Sequence, residues 1–257
     1  MTSPLFSIIT VTRNAQHLLP PTLESLAAQR FSDYELIIQD GNSTDETLQV
    51  VNDSNIPSDK LKIHSEKDSG IYDAMNKAVE RSKGTYLIFL NAGDSFHSEN
   101  TLALIAESAL SHGYPDIIYG QTQIVDSNRH PLAMRHLTAP PSLKVSDFAK
   151  GMVVCHQAFI SKREISGKYD LKYRFSADYK WCIDCLAKSS SNQLVDTILV
   201  DYLFGGTTDN NRYRSLKERF SIMCGYYGFL PTIVNHLGFI PRFLKRRKLE
   251  KNFITSD

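Results

Sequence analysis

The sequence predicts an α/β fold built on a mainly parallel sheet. Residues 6–11, FSIITV, form a continuous apolar run rich in β-branched side chains, which is typical of a strand buried on both faces. Apolar residues at three- and four-residue spacing follow over 18–27 and indicate a helix. Strand and helix patterns alternate in this way four times within the first 110 residues, and this alternation favours parallel βαβ units.

The remaining elements follow in chain order. In the first 110 residues we predict strands over 34–39, 62–65 and 85–90 and helices through 48–51 and over 71–81. Ser43 and Glu46 have the spacing of a capping box at the start of the helix through 48–51. In the second half, where the pattern is less regular, we predict strands over 117–120, 121–125, 153–160 and 194–202 and a helix over 175–186.

Polar side chains stand at the end of each of the first four predicted strands. They are Thr12, Arg13 and Asn14, then Asp40, then Asp68, and finally Asn91 and Asp94. Ligands of parallel α/β sheets bind outside the carboxyl ends of the strands. Asp and Asn are also common turn residues in their own right, but their presence at four strand ends predicts a binding cleft at this rim.

Composition excludes several classes of protein. The chain has 257 residues, of which 42% are hydrophobic and 22% charged, so global disorder and coiled coil are excluded. Four cysteines are too few for a disulfide scaffold, and residues 1–6 lack the features of a secretory signal, so we expect a cytoplasmic protein.

The net charge of +1 divides unevenly along the chain. Residues 1–211 carry 19 Lys and Arg against 25 Asp and Glu, and residues 212–257 carry 10 Lys and Arg against 3 Asp and Glu.

The basic end of the chain predicts a peripheral contact with the inner membrane. Residues 222–241 contain no Asp, Glu, Lys or Arg, but Gly and Pro interrupt the run, so it does not predict a spanning helix. Basic residues flank it on both sides, a pattern that suits docking on an anionic bilayer. The alternative is a helical hairpin packed on the rest of the protein with a solvated basic tail. No nucleic-acid recognition motif accompanies the charge.

Four segments together resemble the family 2 glycosyltransferases, which are inverting enzymes of the GT-A fold. They are Ser7–Asn14, Tyr34–Thr47, Glu66–Ala78 and Gly84–Asp94. The resemblance extends clearly to about residue 110 and in patches to about 206. It implies a GT-A catalytic domain over 1–211, with a nucleotide-binding half (1–110) and an acceptor-binding half (111–211). A basic, helical, amphipathic C-terminal extension would follow over 212–257.

The resemblance also implies roles for individual residues. Asp94 corresponds to the family's metal ligand for Mn²⁺ or Mg²⁺, with Gly93 where the family often has another acid. The residues implied to bind the nucleotide-sugar are Thr12, Asn14, Asp40, Asp68, Asn76 and Asn91. Asp40 can correspond to either of two neighbouring positions of the family pattern, because the family frequently has two acids before the glycine.

Asp178 corresponds to the family's general base, the group that takes the proton from the attacking acceptor hydroxyl. Ala177 replaces the acid that often precedes it. His156 and Trp181 are the residues expected to contact the acceptor, although both residue types are also common in protein cores.

The expected function is sugar transfer by single displacement from a nucleoside diphosphate donor, a UDP-sugar, to a saccharide. The natural acceptor is a lipid-linked intermediate of a bacterial surface polysaccharide such as O-antigen or exopolysaccharide. One alternative is a nucleotidyltransferase, but the loop at 12–15 lacks the glycine-rich basic pattern expected of one. A second alternative is a non-catalytic, membrane-associated protein that binds a sugar nucleotide. The missing acid at Gly93 supports this alternative, whereas the presence of Asp94 and Asp178 argues against it.

Overall fold

The computed structural model describes residues 3–205 and 211–238, which form a nine-stranded sheet with helices on both faces. The strands are β1 (Phe6–Thr12), β2 (Tyr34–Asp40), β3 (Leu61–Ser65), β4 (Tyr86–Phe89), β5 (Ser95–Phe96), β6 (Ile117–Val125), β7 (Pro131–Met134), β8 (Phe159–Lys162) and β9 (Asn192–Leu203). The helices are α1 (Leu19–Ala27), α2 (Thr47–Asn52), α3 (Ile71–Arg81), α4 (Thr101–Ser111), α5 (Ala177–Lys188), α6 (Arg212–Tyr227) and α7 (Phe229–Leu237).

The sheet order is β3-β2-β1-β4-β8-β6-β9-β5, with β7 paired to β6. The first four strands in this order are mutually parallel, as the alternating pattern predicts. Strand β8 runs antiparallel to both β4 and β6, while β9 is parallel to β6. The order reverses at β1, whose neighbours are β2 and β4, and this is the point where an α/β sheet opens a ligand crevice.

Alternate residues of the parallel strands enter two separate hydrophobic cores. Ile9 packs on one face with α3, α5 and α6, whereas Ile8 packs on the other face with α1, α2 and α4. Because both faces are covered, the central strands are apolar throughout, which explains the continuous apolar runs in the sequence. The predicted α/β fold class is confirmed.

Three local predictions differ from the structure. Residues 117–125 form one strand with a register shift beside Gly120 rather than two strands. The strand predicted over 153–160 begins only at Phe159, because the segment before it contains a 3₁₀ turn over His156–Ala158. Helix α2 begins without the predicted capping box, because its N-cap residue is Glu46 and the Ser43 hydroxyl accepts the Asn14 N–H instead (2.8 Å).

Helices α6 and α7 form a hairpin that packs on the rest of the chain. Ile222 and Met223 are buried in the core shared with α5, the Tyr226 hydroxyl donates to Asp184, and the Tyr227 hydroxyl donates to the Val145 carbonyl (2.7 Å). The packed hairpin is therefore the arrangement of residues 211–238. Within the described segments no helix has the length and apolar character needed to cross a bilayer. The basic residues from 242 onward lie outside the described residues, and the domain boundaries at 110 and 211 stay predictions.

Candidate active site

Asp40 anchors the turn that follows β2. Its buried carboxylate accepts hydrogen bonds from the hydroxyls of Thr12 (3.2 Å), Ser65 (2.6 Å) and Ser43, and from the Ser43 backbone N–H (2.9 Å). Burial alone would raise the pKa of Asp40, but these hydrogen bonds outweigh burial and hold the pKa below its ordinary value. Asp40 and Thr12 therefore help to shape the turn, and their predicted contacts with the nucleotide-sugar stay predictions.

Asn14 joins the turns after β1 and β2. It adopts a positive φ of 50°, its Oδ1 accepts the Thr44 backbone N–H (2.9 Å), and its own N–H donates to the Ser43 hydroxyl (2.8 Å). The side chain remains exposed at the crevice, a position that is compatible with the predicted nucleotide-sugar contact.

Gly41 lies against two charged side chains. A Cβ atom at this position would overlap Oδ2 of Asp68 and would touch Cδ of Arg13. A residue larger than glycine at this position would therefore require the Asp68 carboxylate to move. Asp68 accepts the Gly70 N–H (2.9 Å) through Oδ1 and remains a candidate donor-binding residue. Arg13, which follows β1 and has no role in the predicted site, lies at the same place.

Three predicted site residues belong to the packed interior beneath the crevice. Asn76 bonds both backbone groups of Tyr169 through its amide (2.7 and 3.0 Å). His156 is 4% exposed and its Nε2 contacts the Tyr169 hydroxyl (2.6 Å), while Trp181 is 1% exposed, stacks on Tyr169 and donates to the Gly167 carbonyl (2.8 Å). Burial lowers the pKa of His156 to about 4, although the charge of Asp178 opposes it. The polar groups of these three residues are bonded within the protein, and their predicted substrate contacts stay predictions.

Asp94 is a buried acid at the rim, 4% exposed. Its Oδ1 accepts the Leu203 backbone N–H (3.0 Å), and its Oδ2 accepts Nε2 of Gln157 (2.6 Å). Burial raises the pKa of Asp94 to about 7, against the opposing effect of these hydrogen bonds and of the Arg129 charge. A carboxyl group held in so unfavourable an environment is typical of a functional site.

Gly93 has a conformational reason to be glycine. Its φ is +97°, and a Cβ atom there would lie 2.8 Å from Cδ2 of Leu203. Arg129, from the turn between β6 and β7, donates to the Gly93 carbonyl (2.6 Å) and to the Ser95 hydroxyl. A second acid is thus excluded by the backbone, and a guanidinium lies beside Asp94.

The residues at this turn fit a divalent cation. Oδ1 of Asn91 is buried without a hydrogen-bond partner, so it and the Asp94 carboxylate supply oxygen atoms of the kind that Mg²⁺ and Mn²⁺ prefer. Within the described residues no group of three or more His, Cys, Asp or Glu side chains could hold a metal. A cation here would consequently take most of its ligands from a bound diphosphate and water, as Mg²⁺ commonly does.

Asp178 lies in the first turn of α5, where the helix dipole favours an anion. Its Oδ1 accepts the Tyr72 hydroxyl (3.0 Å) and the Tyr179 backbone N–H (2.8 Å). Burial and the Asp178 charge hold the pKa of Tyr72 well above its ordinary value, so the phenol remains a hydrogen-bond donor. Tyr72, on α3, therefore orients the candidate base from the element that follows Asp68.

A chain of contacts links the metal and base candidates. Gln157 bonds Asp94, and its neighbour His156 contacts the Tyr169 hydroxyl. Tyr169 stacks on Tyr72, whose hydroxyl donates to Asp178. Neither Gln157 nor Tyr72 nor Arg129 is among the site residues predicted from sequence. Tyr72 lies within a segment that resembles the family, but nothing in the sequence links it to a residue 106 positions later.

Comparison with known proteins gives the same family that the sequence motifs resemble. The family model described as glycosyl transferase family 2 matches residues 7–169. A Mycobacterium tuberculosis protein named PGL/p-HBAD biosynthesis glycosyltransferase is 34% identical over 216 residues, covering 81% of each chain. Two solved structures have the same fold. The structure of S. aureus TarS 1-349 in complex with UDP-GlcNAc has a TM-score of 0.69 at 17% identity, covering 91% of this chain and 73% of that one.

The second solved structure with the same fold is that of the mannosyltransferase PcManGT from Pyrobaculum calidifontis in complex with GDP-Man and Mn²⁺. It has a TM-score of 0.61 at 14% identity, covering 93% of this chain and 76% of that one. These likenesses support the GT-A fold, and the match of the family model over most of the chain decides the family. The chain belongs to glycosyl transferase family 2.

Proposed function

We propose that this glycosyltransferase moves a sugar from a UDP-sugar to a saccharide acceptor with inversion at the anomeric carbon. The observation that carries the proposal is the carboxylate of Asp178, which Tyr72 orients in the first turn of α5. One oriented carboxylate is what a single displacement requires, because one proton must leave the acceptor hydroxyl as it attacks. Family membership favours sugar transfer over nucleotidyl transfer and over a non-catalytic binding protein.

The donor would bind in the crevice between β1 and β4. Asn14, Arg13 and Asp68 offer polar groups there, and Asp40 holds the turn that shapes it. The UDP-GlcNAc complex of TarS, which shares the fold, supports a uridine nucleotide. A divalent cation held by Asp94 and Asn91 would supply Lewis-acid stabilisation of the leaving diphosphate, and the Mn²⁺ complex of PcManGT supports this.

Asp178 would take the proton from the acceptor hydroxyl as the new glycosidic bond forms. Tyr72 keeps the carboxylate in one orientation, and the helix N-terminus stabilises its negative charge. Incubation with a panel of UDP-, GDP- and TDP-sugars, Mn²⁺ and saccharide acceptors tests the proposal. We expect transfer from a UDP-sugar with inverted anomeric configuration in the product, whereas a product of retained configuration would contradict the mechanism.

Removing the Tyr72 hydroxyl should impair the base without disturbing the donor. In Tyr72→Phe we expect kcat to fall by roughly 10-fold, because a hydrogen bond to a charged group contributes about 1.5–3 kcal/mol. The ring would still stack on Tyr169, so the Kd for UDP should change little, and the melting temperature should fall only by the few degrees expected for one lost hydrogen bond. Tyr114→Phe, at an exposed position, is the matched control. An unchanged kcat would exclude Tyr72 as a positioning residue.

We further propose that α7 and the basic residues after it bind the cytoplasmic face of an anionic membrane, which would place the enzyme near a lipid-linked acceptor. Leu230, Val234 and Leu237 recur at helical spacing on α7 and are 73%, 68% and 61% exposed. The following residues 242–251 contain six Lys and Arg and one acid. An exposed apolar helix face followed by basic residues suits a bilayer surface with anionic lipids.

Neutralising four of these charges should release the protein from anionic vesicles. For K245Q/R246Q/R247Q/K248Q we expect binding to phosphatidylglycerol vesicles to weaken by at least roughly 100-fold, since each basic residue near such a surface contributes about 1 kcal/mol. L230S/V234S should also weaken binding. The control K67Q/K83Q/K172Q/K188Q changes the same number of charges at exposed lysines. Equal vesicle binding by all variants would refute the membrane contact.

A further inference from the structure

Helix α6 is attached to the segment that carries the candidate base. The hydroxyls of Ser215 and Ser176 are 2.9 Å apart, and Ser176 immediately precedes α5. Glu218 accepts the backbone N–H groups of Arg174 (2.9 Å) and Phe175 (2.8 Å). Helix α6, which the charge pattern placed in the C-terminal extension, thus bonds the residues that lead into Asp178.

Arg219, in the middle of α6, packs against the residue that follows Asp178. Its guanidinium lies over the ring of Tyr179, with Cζ 5.6 Å from the ring centroid, and Tyr179 is the residue after Asp178. The positive charge of Arg219 also acts on the Tyr72 hydroxyl, where it opposes the effect of burial and of Asp178 on the Tyr72 pKa. The charges of Arg219 and Asp178 thus both influence the Tyr72 hydroxyl, which donates to Asp178.

The guanidinium of Arg219 has no counter-ion in the part of the chain that the structure describes. Its Nε is buried without a hydrogen-bond partner, and no described carboxylate forms an ion pair with it. Among other partly buried cations, Arg81 and Lys162 are paired with Glu66 and Asp116, and Arg129 has neutral partners, the Gly93 carbonyl and the Ser95 hydroxyl. A buried N–H without a partner is energetically unfavourable, so this arrangement favours an incoming anion.

The anion that fits is a phosphate. Guanidinium groups bind phosphate oxygens through parallel hydrogen bonds. The proposed donor carries a diphosphate, and an acceptor linked to its lipid through phosphate would carry one too. Because Gly93 leaves Asp94 without an adjacent acid at the metal turn, further positive charge near a diphosphate would be useful. We propose, on the basis of the proposed function, that Arg219 binds a phosphate group of the donor or of the acceptor beside Asp178.

The test compares R219Q and R219K with K217Q, which removes the charge of an exposed lysine on the same helix. Calorimetry measures the Kd for UDP and for uridine, which lacks phosphate. Kinetics measure KM for a prenyl-diphosphate-linked monosaccharide and for its methyl glycoside. If the phosphate belongs to the donor, R219Q should weaken UDP binding by about 10- to 100-fold and leave uridine binding unchanged.

If the phosphate belongs to the acceptor, R219Q should instead raise KM by a similar factor for the prenyl-diphosphate compound alone. R219K, which retains the charge, should show a smaller effect in either case. Behaviour of R219Q equal to that of K217Q, or equal weakening of UDP and uridine binding, would overturn the inference. If the wild-type protein neither binds UDP nor transfers a sugar, it is the proposed function that fails.

Discussion

The variant Asp178→Asn should retain donor binding and lose nearly all transfer. We expect kcat to fall by about 10³-fold, because a positioned general base contributes roughly 10²–10⁴-fold and an amide cannot accept the proton. The amide oxygen of the introduced side chain can still accept the bonds from Tyr72 and from the Tyr179 N–H, so the fold around α5 should be preserved. Single-turnover assays with the active UDP-sugar give the rate, and calorimetry gives the Kd for UDP.

Asp196→Asn is the matched control, because Asp196 is exposed on β9. It should leave both quantities unchanged. If Asp178→Asn retained full kcat, Asp178 would not be the base, and a different group would have to accept the proton. A loss of UDP binding in proportion to the loss of rate would assign Asp178 to the donor site instead.

The first half of the fold is predictable from sequence because each of its elements has a local pattern. The continuous apolar runs of β1 and β2 reflect burial on both faces, and the boundaries predicted for α3 agree with the structure. The segment before β8 is different: residues 153–160 are apolar for the sake of the core, yet His156–Ala158 form a 3₁₀ turn. Burial alone does not distinguish a strand from a buried turn.

The candidate site is predictable only in part, for a related reason. Asp94 and Asp178 lie next to elements with clear patterns, so a resemblance can locate them. The hydrogen bond of Tyr72 to Asp178 joins residues 106 positions apart, and Arg219 approaches them from a helix near the end of the chain. Such contacts depend on tertiary packing. Sequence also does not show which polar side chains are bonded within the protein. Asp40 and Trp181 have chemistry suited to a binding site, but the structure gives their polar groups internal partners.

Asp94→Asn should combine a loss of activity with a gain in stability. Transfer should fall by about 10²–10³-fold, the usual effect of removing a group that stabilises charge developing in the transition state. Added Mn²⁺ should raise the melting temperature of the wild type but not of this variant, since the carboxylate would be gone. Asp196→Asn again serves as the control. Undiminished transfer, or metal stabilisation that survives in Asp94→Asn, would remove Asp94 from the metal site.

The gain in stability should depend on pH in a definite direction. The pKa of Asp94 is about 7 in the folded protein against 3.8 ordinarily, so the folded state binds the proton more tightly than the unfolded state. The free energy of unfolding of the metal-free wild type should therefore decrease as pH rises from about 4 to 7, by at most ~4 kcal/mol. The asparagine of the variant carries no charge, so in EDTA the variant should melt above the wild type at about pH 8, and the difference should nearly vanish at about pH 4. If the difference in melting temperature between the variant and the wild type did not depend on pH, burial would not raise the pKa of Asp94. The argument from its environment for a functional role would then lose its support.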